Sequence, residues 1–208
     1  MKIRLGAFHH EKLDLNGDLG NLLVLSRRLN AYGFDCEVVE LTGQNFEREL
    51  GVGLDFAFLG HGSRAAWLAI KNDDVDFESA VLATIDRGVD FLAVASGFEK
   101  LIEFGALVIA AQPIERRSEF VSYEWNNIEL LGYLNADKNL PAFHAYKNIY
   151  ATMLHGPVLA KNSKLADFMI EGILKKRGAS IQMAERCALV KIDELSEAAR
   201  AVAKSMIE

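Results

Sequence analysis

Short apolar strand patterns alternate with amphipathic helix patterns through the first 105 residues of this chain. The predicted strands cover 2–9, 36–41, 54–59 and 91–95, and the predicted helices cover 19–29, 63–70 and 77–85. Strands that are apolar on both faces are typical of a parallel sheet covered by helices on both sides. The chain is therefore expected to fold as an α/β domain with a mainly parallel sheet.

The second half of the chain is richer in strand patterns. Strands are predicted at 106–111, 120–125, 128–134 and 150–154, and helices over 165–173 and 193–206. The last helix carries an apolar stripe of five residues: Leu195, Ala198, Ala199, Val202 and Met206. Since no linker or low-complexity segment interrupts the pattern, residues 1–208 are expected to form a single domain.

Composition narrows the class of function. The net charge is −6, whereas nucleic-acid-binding proteins usually present a basic face, so no nucleic acid partner is expected. The apolar runs are strand-sized, which predicts no membrane insertion. Cys36 and Cys187 lie far apart and show no metal-ligand spacing, so we expect a reduced, cytoplasmic protein without metal or cofactor.

Three short segments could carry chemistry. The small-residue turn Ala95, Ser96 and Gly97 follows an apolar strand, which is the position of a nucleophile elbow. Residues 60–62, Gly-His-Gly, end another strand, and residues 155–157, His-Gly-Pro, precede a helix. Each segment alone also fits an ordinary turn, and a serine elbow requires glycines where Val94 and Phe98 stand.

Together with the loop 15–21, Leu-Asn-Gly-Asp-Leu-Gly-Asn, these segments resemble one family. In this order they are similar to the class I glutamine amidotransferase domain of the cobyric acid synthase (CobB/CobQ) type, and within it to the glutaminase subunits of lipid II isoglutaminyl synthase. The resemblance spans residues 1 to about 175. It implies a flavodoxin-like three-layer fold and a Mur-ligase-like or other ATP-dependent synthetase subunit as partner.

The family hydrolyses glutamine with a cysteine on the elbow, a histidine base and backbone N–H groups that hold the oxyanion. By resemblance, Ala95 stands at the nucleophile position and His155 at the base position. The oxyanion and substrate pocket would comprise Gly60, Gly62, Ser96, Gly97 and Glu99. The site departs from the family, which has glutamine where Glu99 stands, Gly-Gly-Gly-Gln-Asp at 60–64 and Gly-Phe-Glu-Asn-His in the place of residues 132–136.

Four functional hypotheses remain open. The first is a degenerate, non-hydrolysing partner or regulatory subunit of an amide-forming enzyme. The second is an active glutaminase subunit supplying ammonia, with an engineered substitution at Ala95. The third is a hydrolase that uses Ser96 with His155. The fourth is a sensor for glutamine or a related small molecule, with a charged lining of Glu99, Arg64 and His61.

Overall fold

The computed structural model of the protein describes residues 1–182, 187–205 and 207. Its helices and strands follow in chain order: β1 Lys2–Phe8, α1 Gly20–Ala31, β2 Asp35–Leu41, α2 Phe46–Val52, β3 Phe56–Leu59, α3 Arg64–Asp73, α4 Phe77–Asp86, β4 Asp90–Val94, α5 Ser96–Glu103, β5 Pro113–Trp125, β6 Ile128–Lys138, β7 Phe143–Tyr146, β8 Ile149–Thr152, β9 Leu154–His155, α6 Val158–Lys161, α7 Ser163–Lys176 and α8 Val190–Lys204, with a 3-10 turn at Cys187–Leu189 before α8.

Six strands form the central sheet in the order β2-β1-β3-β4-β8-β7. All neighbours pair in parallel except β7, which forms an antiparallel hairpin with β8. In a flavodoxin-like sheet of this order, the chain reverses its direction of progress between β1 and β3, and ligands collect at the carboxyl ends of the strands there. The predicted mainly parallel α/β fold is confirmed, and the segments after β1, β3 and β4 share one edge.

The central strands explain the apolar patterns in the sequence. Every residue of β3 and β4 is buried, because both strands are covered on two faces. Asp90 is the one charged residue among them, and its carboxylate lies 2.7 Å from the Lys176 ammonium group at the end of α7. Burial raises the pKa of Asp90, while the ion pair with Lys176 opposes that rise.

A second, three-stranded antiparallel sheet has the order β5-β6-β9. The short strand β9 places Leu154 opposite Leu134 and His155 opposite Tyr133 of β6. His155 therefore lies where the small sheet approaches the carboxyl edge of the central sheet. Within the described residues, no helix has the length and apolar composition that a membrane span requires.

One prediction about local structure was wrong, and some short elements were missed. The predicted strand at 106–111 is irregular chain that pairs with neither sheet, and in it Leu107 is buried but Val108 is 98% exposed. The short elements α2 and β7 were not predicted. Both are too short for periodicity to identify, at seven and four residues.

The last helix packs through its polar face rather than its apolar stripe. Leu195 and Val202 are 65% and 66% exposed, whereas Arg200 is buried. The Arg200 guanidinium donates to Asn162 Oδ1 at 2.6 Å and to Glu129 Oε2 at 3.0 Å. These charge-assisted hydrogen bonds stabilise the orientation that leaves the stripe in solvent. Met206, the last residue of the predicted stripe, lies outside the described residues.

Candidate functional site

Ala95 forms the elbow between β4 and α5. Its backbone angles are φ 50° and ψ −113°, close to those of position i+1 of a type II′ turn, which glycine usually occupies. A non-glycine residue in such a region costs of the order of 1–3 kcal/mol and is found mainly at functional sites. The turn is held by its own N–H, which donates to the Thr152 carbonyl at 2.7 Å. The structure thus has the sharp strand-to-helix turn that the sequence predicted here.

Close backbone approaches explain the glycines around this elbow. A Cβ atom on Gly97 would lie 2.5 Å from the Leu59 carbonyl oxygen, and one on Gly60 would lie 2.0 Å from the Leu13 carbonyl oxygen. Any side chain at either position would therefore push the neighbouring backbone segments apart. The glycines bring the end of β3, the loop after β1 and the start of α5 into contact.

The loop after β3 turns His61 toward the elbow. The Ser96 N–H donates to His61 Nδ1 at 3.3 Å, so Nδ1 carries no proton. Burial first, and then the charge on His155, lower the pKa of His61 to about 4. The imidazole of His61 is therefore neutral at physiological pH, with its proton on Nε2.

The Ser96 hydroxyl has a full set of hydrogen-bond partners. Its Oγ accepts from the Gly62 N–H at 3.0 Å and from Trp67 Nε1–H at 2.8 Å. The same Oγ lies 2.8 Å from His61 Nδ1 and 3.2 Å from the Gly62 carbonyl oxygen, both of which can accept its proton. Because two N–H groups use both lone pairs of the hydroxyl, this geometry argues against Ser96 as a nucleophile.

His155 is bound at both ring nitrogens. Its Nε2–H donates to the Asn135 carbonyl at 3.0 Å, and its Nδ1 accepts from the Asn16 side-chain amide at 2.8 Å. Burial is the main cause that lowers the pKa of His155 below its usual value. The ring lies 4.9 Å from that of His61 in an edge-to-face arrangement. The structure thus brings His155, His61 and the elbow together. His61 contacts both of the others, because its ring packs on His155 and its Nδ1 accepts from the Ser96 N–H.

Asp18 connects the loop after β1 to both site segments. Its fully buried carboxylate accepts from the His61 N–H at 3.1 Å and from the Gly156 N–H. The other oxygen, Oδ1, has no hydrogen-bond partner. Burial raises the pKa of Asp18 to about 6. Asp18 therefore holds the glycine loop and the His155 turn in register through their backbones.

Glu99 makes an ion pair with Lys138 at the end of β6. Both side chains are partly exposed, at 30% and 39%. Glu99 therefore faces the small sheet that also carries His155, and its negative charge raises the pKa of that histidine slightly against burial. Arg64, predicted to share this lining, is an exposed residue at the start of α3.

The two cysteines lie elsewhere. Cys36 is the second residue of β2, at the amino end of a parallel strand, while the elbow is at the carboxyl end of the sheet. Cys187 is exposed in the 3-10 turn before α8. Across the part of the chain that the structure describes, histidine, cysteine and carboxylate side chains form no group of three or more that could hold a metal ion.

The sequence pointed to most of the residues that meet at this edge of the sheet but not to several of their contacts. It singled out the loop 15–21 without giving roles to Asn16 or Asp18, which now contact the two other segments. It did not identify Trp67 or Lys138. The Asn-Gly-Asp sequence at 16–18, in a loop at the sheet edge, was a usable signal for Asn16 and Asp18. Nothing in the sequence pattern pointed to Trp67 or Lys138.

A curated protein and several solved structures are similar to this chain. No protein-family model matches the chain. It is 22% identical to the subunit GatD of the glutamine-hydrolysing lipid II isoglutaminyl synthase of Staphylococcus aureus (strain N315), over 86% of this chain and 87% of that protein.

Solved structures show the same fold. A glutamine amidotransferase of Thermotoga maritima superposes with a TM-score of 0.52 at 16% identity, covering 99% of this chain and 98% of the other. PurLQS from Thermotoga maritima superposes with a TM-score of 0.50 at 15% identity, covering 85% and 99%. The chain therefore has the fold of the Thermotoga maritima glutamine amidotransferase, which confirms the fold that the resemblance implied.

Proposed function

We propose that this protein is a glutamine amidotransferase-like pseudoenzyme that does not hydrolyse glutamine. In this proposal it acts in the cytoplasm, as one domain of residues 1–208, as a partner or regulatory subunit of a Mur-ligase-like or other amide-forming enzyme. The observation that carries the proposal is Ala95 at the elbow. Its methyl group holds the place of a nucleophile but cannot form a bond to the glutamine amide carbon.

No other thiol replaces the missing one. Cys36 stands at the opposite end of the sheet from the elbow, and burial raises the pKa of its thiol, which disfavours the reactive thiolate. Cys187 stands in the 3-10 turn before α8, and this turn packs against α8 and α1. A covalent thioester with glutamine therefore has no candidate nucleophile in this proposal.

The histidine at the base position has hydrogen bonds at both ring nitrogens. To act as a general base it would have to release one of these contacts, because a base needs a lone pair directed at the proton it removes. In His155 the lone pair of Nδ1 is directed at Asn16 and the proton of Nε2 at Asn135. The ring is thus bound as a structural bridge between the loop after β1 and the strand β6.

A partner role rests on the relatives. The protein of Staphylococcus aureus similar to this chain is a subunit of a synthase, which supports association with a ligase-type enzyme in cell wall biosynthesis. We expect the chain, tagged and purified from the organism that encodes it, to retain an ATP-dependent amide-forming enzyme in near-equal amount. Purification of the chain alone would contradict the partner role.

A small-molecule sensor is the second candidate. The ion pair between Glu99 and Lys138 supports it, because it provides charged groups that an amino acid could engage near the remnant site. A ligand that binds only the folded state raises the melting temperature. A glutamine-dependent rise that Glu99→Ala abolishes would favour the sensor over the partner role.

Hydrolysis itself is tested with glutamine and the chain as it stands. Deleting a catalytic nucleophile can cost about a million-fold in rate, so we expect no glutamate release above the protein-free background. His155→Gln is the matched control, because release that this variant abolishes would come from the site rather than from a contaminant. Such release would overturn the proposal. A cysteine codon at position 95 in the native gene would instead favour the active subunit with a substituted nucleophile.

A further inference from the structure

The oxyanion donors of this elbow are already occupied. In hydrolytic elbows the negative oxygen is held by the N–H of the residue after the nucleophile and by an N–H of a neighbouring loop. Here the residue after the nucleophile position is Ser96, and the neighbouring loop contains Gly62. The Ser96 N–H donates to His61 Nδ1 at 3.3 Å, and the Gly62 N–H donates to Ser96 Oγ at 3.0 Å.

We infer that the His61 imidazole and the Ser96 hydroxyl form an internal plug that occupies the oxyanion hole. Glutamine hydrolysis is then blocked twice, by Ala95 and by this plug, and a thiol at position 95 alone does not restore it. This inference rests on the proposed function, since it concerns the same site.

The contacts around the plug keep it closed. Trp67, on α3, donates from its Nε1–H to Ser96 Oγ at 2.8 Å, and the His61 ring packs edge-to-face on His155. The His61 backbone is held by Asp18. A substrate oxygen that entered the hole would have to displace two side chains that are each fixed by a further element of the fold.

Restoration of glutaminase activity tests the plug. The variants are A95C, A95C/H61A, A95C/S96A and A95C/H61A/S96A, with A95C/S79A as the matched control because Ser79 is exposed on α4. We expect A95C and the control to release no glutamate above background. The triple variant should release glutamate at least about 100-fold faster than A95C, since one oxyanion donor is worth about that factor.

Covalent labelling gives a second readout that does not need turnover. An electrophilic diazoketone analogue of glutamine should alkylate the introduced thiol in the triple variant, with loss of N₂, and react more slowly in A95C. Intact-mass spectrometry measures the difference. Equal activity and equal labelling of A95C and the folded triple variant would overturn the inference, whichever level they reach.

A single substitution keeps the test valid if the triple variant does not fold. In S96A, the Gly62 amide proton should move upfield in the NMR spectrum because it loses its acceptor, while the amide of Ala66, bound to Ser63 Oγ, stays in place. An unchanged Gly62 resonance would overturn the plug. The proposed function is tested separately, because it is glutamate release by the unaltered chain that would overturn it.

Discussion

The Asn16 side-chain amide donates to His155 Nδ1 at 2.8 Å, although 139 residues separate them in the chain. One residue lies in the loop after β1 and the other in β9, at the carboxyl edge of the central sheet. The same two segments touch again where Gly20 faces Pro157, because a Cβ on Gly20 would lie 2.8 Å from the proline ring. The two segments with the most distinctive sequence are therefore one structural unit.

Asn16→Ala should raise the pKa of His155 toward its ordinary value. The amide N–H stabilises the neutral ring because it donates to the unprotonated Nδ1, and its loss removes that preference. NMR titration of the His155 ring, assigned with His155→Gln, measures the change. The exposed Asn30→Ala should leave the pKa unaltered, and an equal pKa in Asn16→Ala and the parent would show that the contact has no effect on protonation.

Ala95→Gly should stabilise the protein by about 1 kcal/mol, measured by urea unfolding. Relief of strain at a non-glycine residue should contribute about 1–3 kcal/mol. Glycine offsets about 0.5–1 kcal/mol of this gain, because it loses more conformational entropy on folding than alanine does. Ala93→Gly in the buried strand β4 is the control and should destabilise by at least about 1 kcal/mol. If both variants lose the same stability, the elbow is not strained.

Gly97→Ala should destabilise the fold by about 2 kcal/mol, since overpacking against fixed atoms has costs of this size. The added Cβ would lie 2.5 Å from the Leu59 carbonyl oxygen and 2.9 Å from that of Gly60, and neither backbone atom can rotate away. Gly51→Ala in α2 is the matched control. No atom lies within 4 Å of its added Cβ, so this variant should gain about 0.5 kcal/mol. Equal stability of the two variants would exclude the close approach.

The His61 imidazole should make stability depend on pH. Its pKa is about 4 in the folded protein against an unfolded value near 6.5, so the neutral ring contributes stability that is fully present above pH 6.5. That contribution, up to about 3 kcal/mol, is lost as the pH falls through 4. The non-titrating His61→Asn variant is the reference in urea unfolding at each pH. A constant difference between parent and variant from pH 7 to pH 4 would contradict the lowered pKa.

Asp18 should show the opposite dependence. Its pKa is about 6 in the folded protein against an unfolded value near 3.8, so its contribution is fully present below pH 3.8 and lost as the pH rises through 6. Compared with Asp18→Asn, the parent should lose up to about 3 kcal/mol between pH 4 and pH 7. The protection factors of the His61 and Gly156 amides, which donate hydrogen bonds to Asp18 and which are corrected for the intrinsic exchange rate at each pH, should fall over the same interval in the parent only. Protection factors that stay constant would contradict the raised pKa of Asp18.

Much of this molecule follows from local patterns in the chain. The apolar strands β1 to β4 and their helices set the α/β class, because residues buried on both faces of a sheet must be apolar. Parallel order then places the loops after β1, β3 and β4 at one edge. The position of the elbow at Ala95 also follows from local sequence, because a small-residue turn directly after a parallel strand lies at the carboxyl edge of the sheet.

The tertiary structure alone decided the chemistry at that edge and the surface around it. The run 106–111 does not pair with a strand. The apolar stripe of α8 faces solvent because Arg200, on the opposite side of the helix, forms hydrogen bonds with Asn162 and Glu129. At the site, Ser96 and His61 bind the backbone donors of the elbow and of its neighbouring loop, and Asn16 binds His155. Periodicity encodes which face of an element is buried, but it carries no information on contacts between side chains far apart in the chain, and those contacts determine whether a pocket is open or filled.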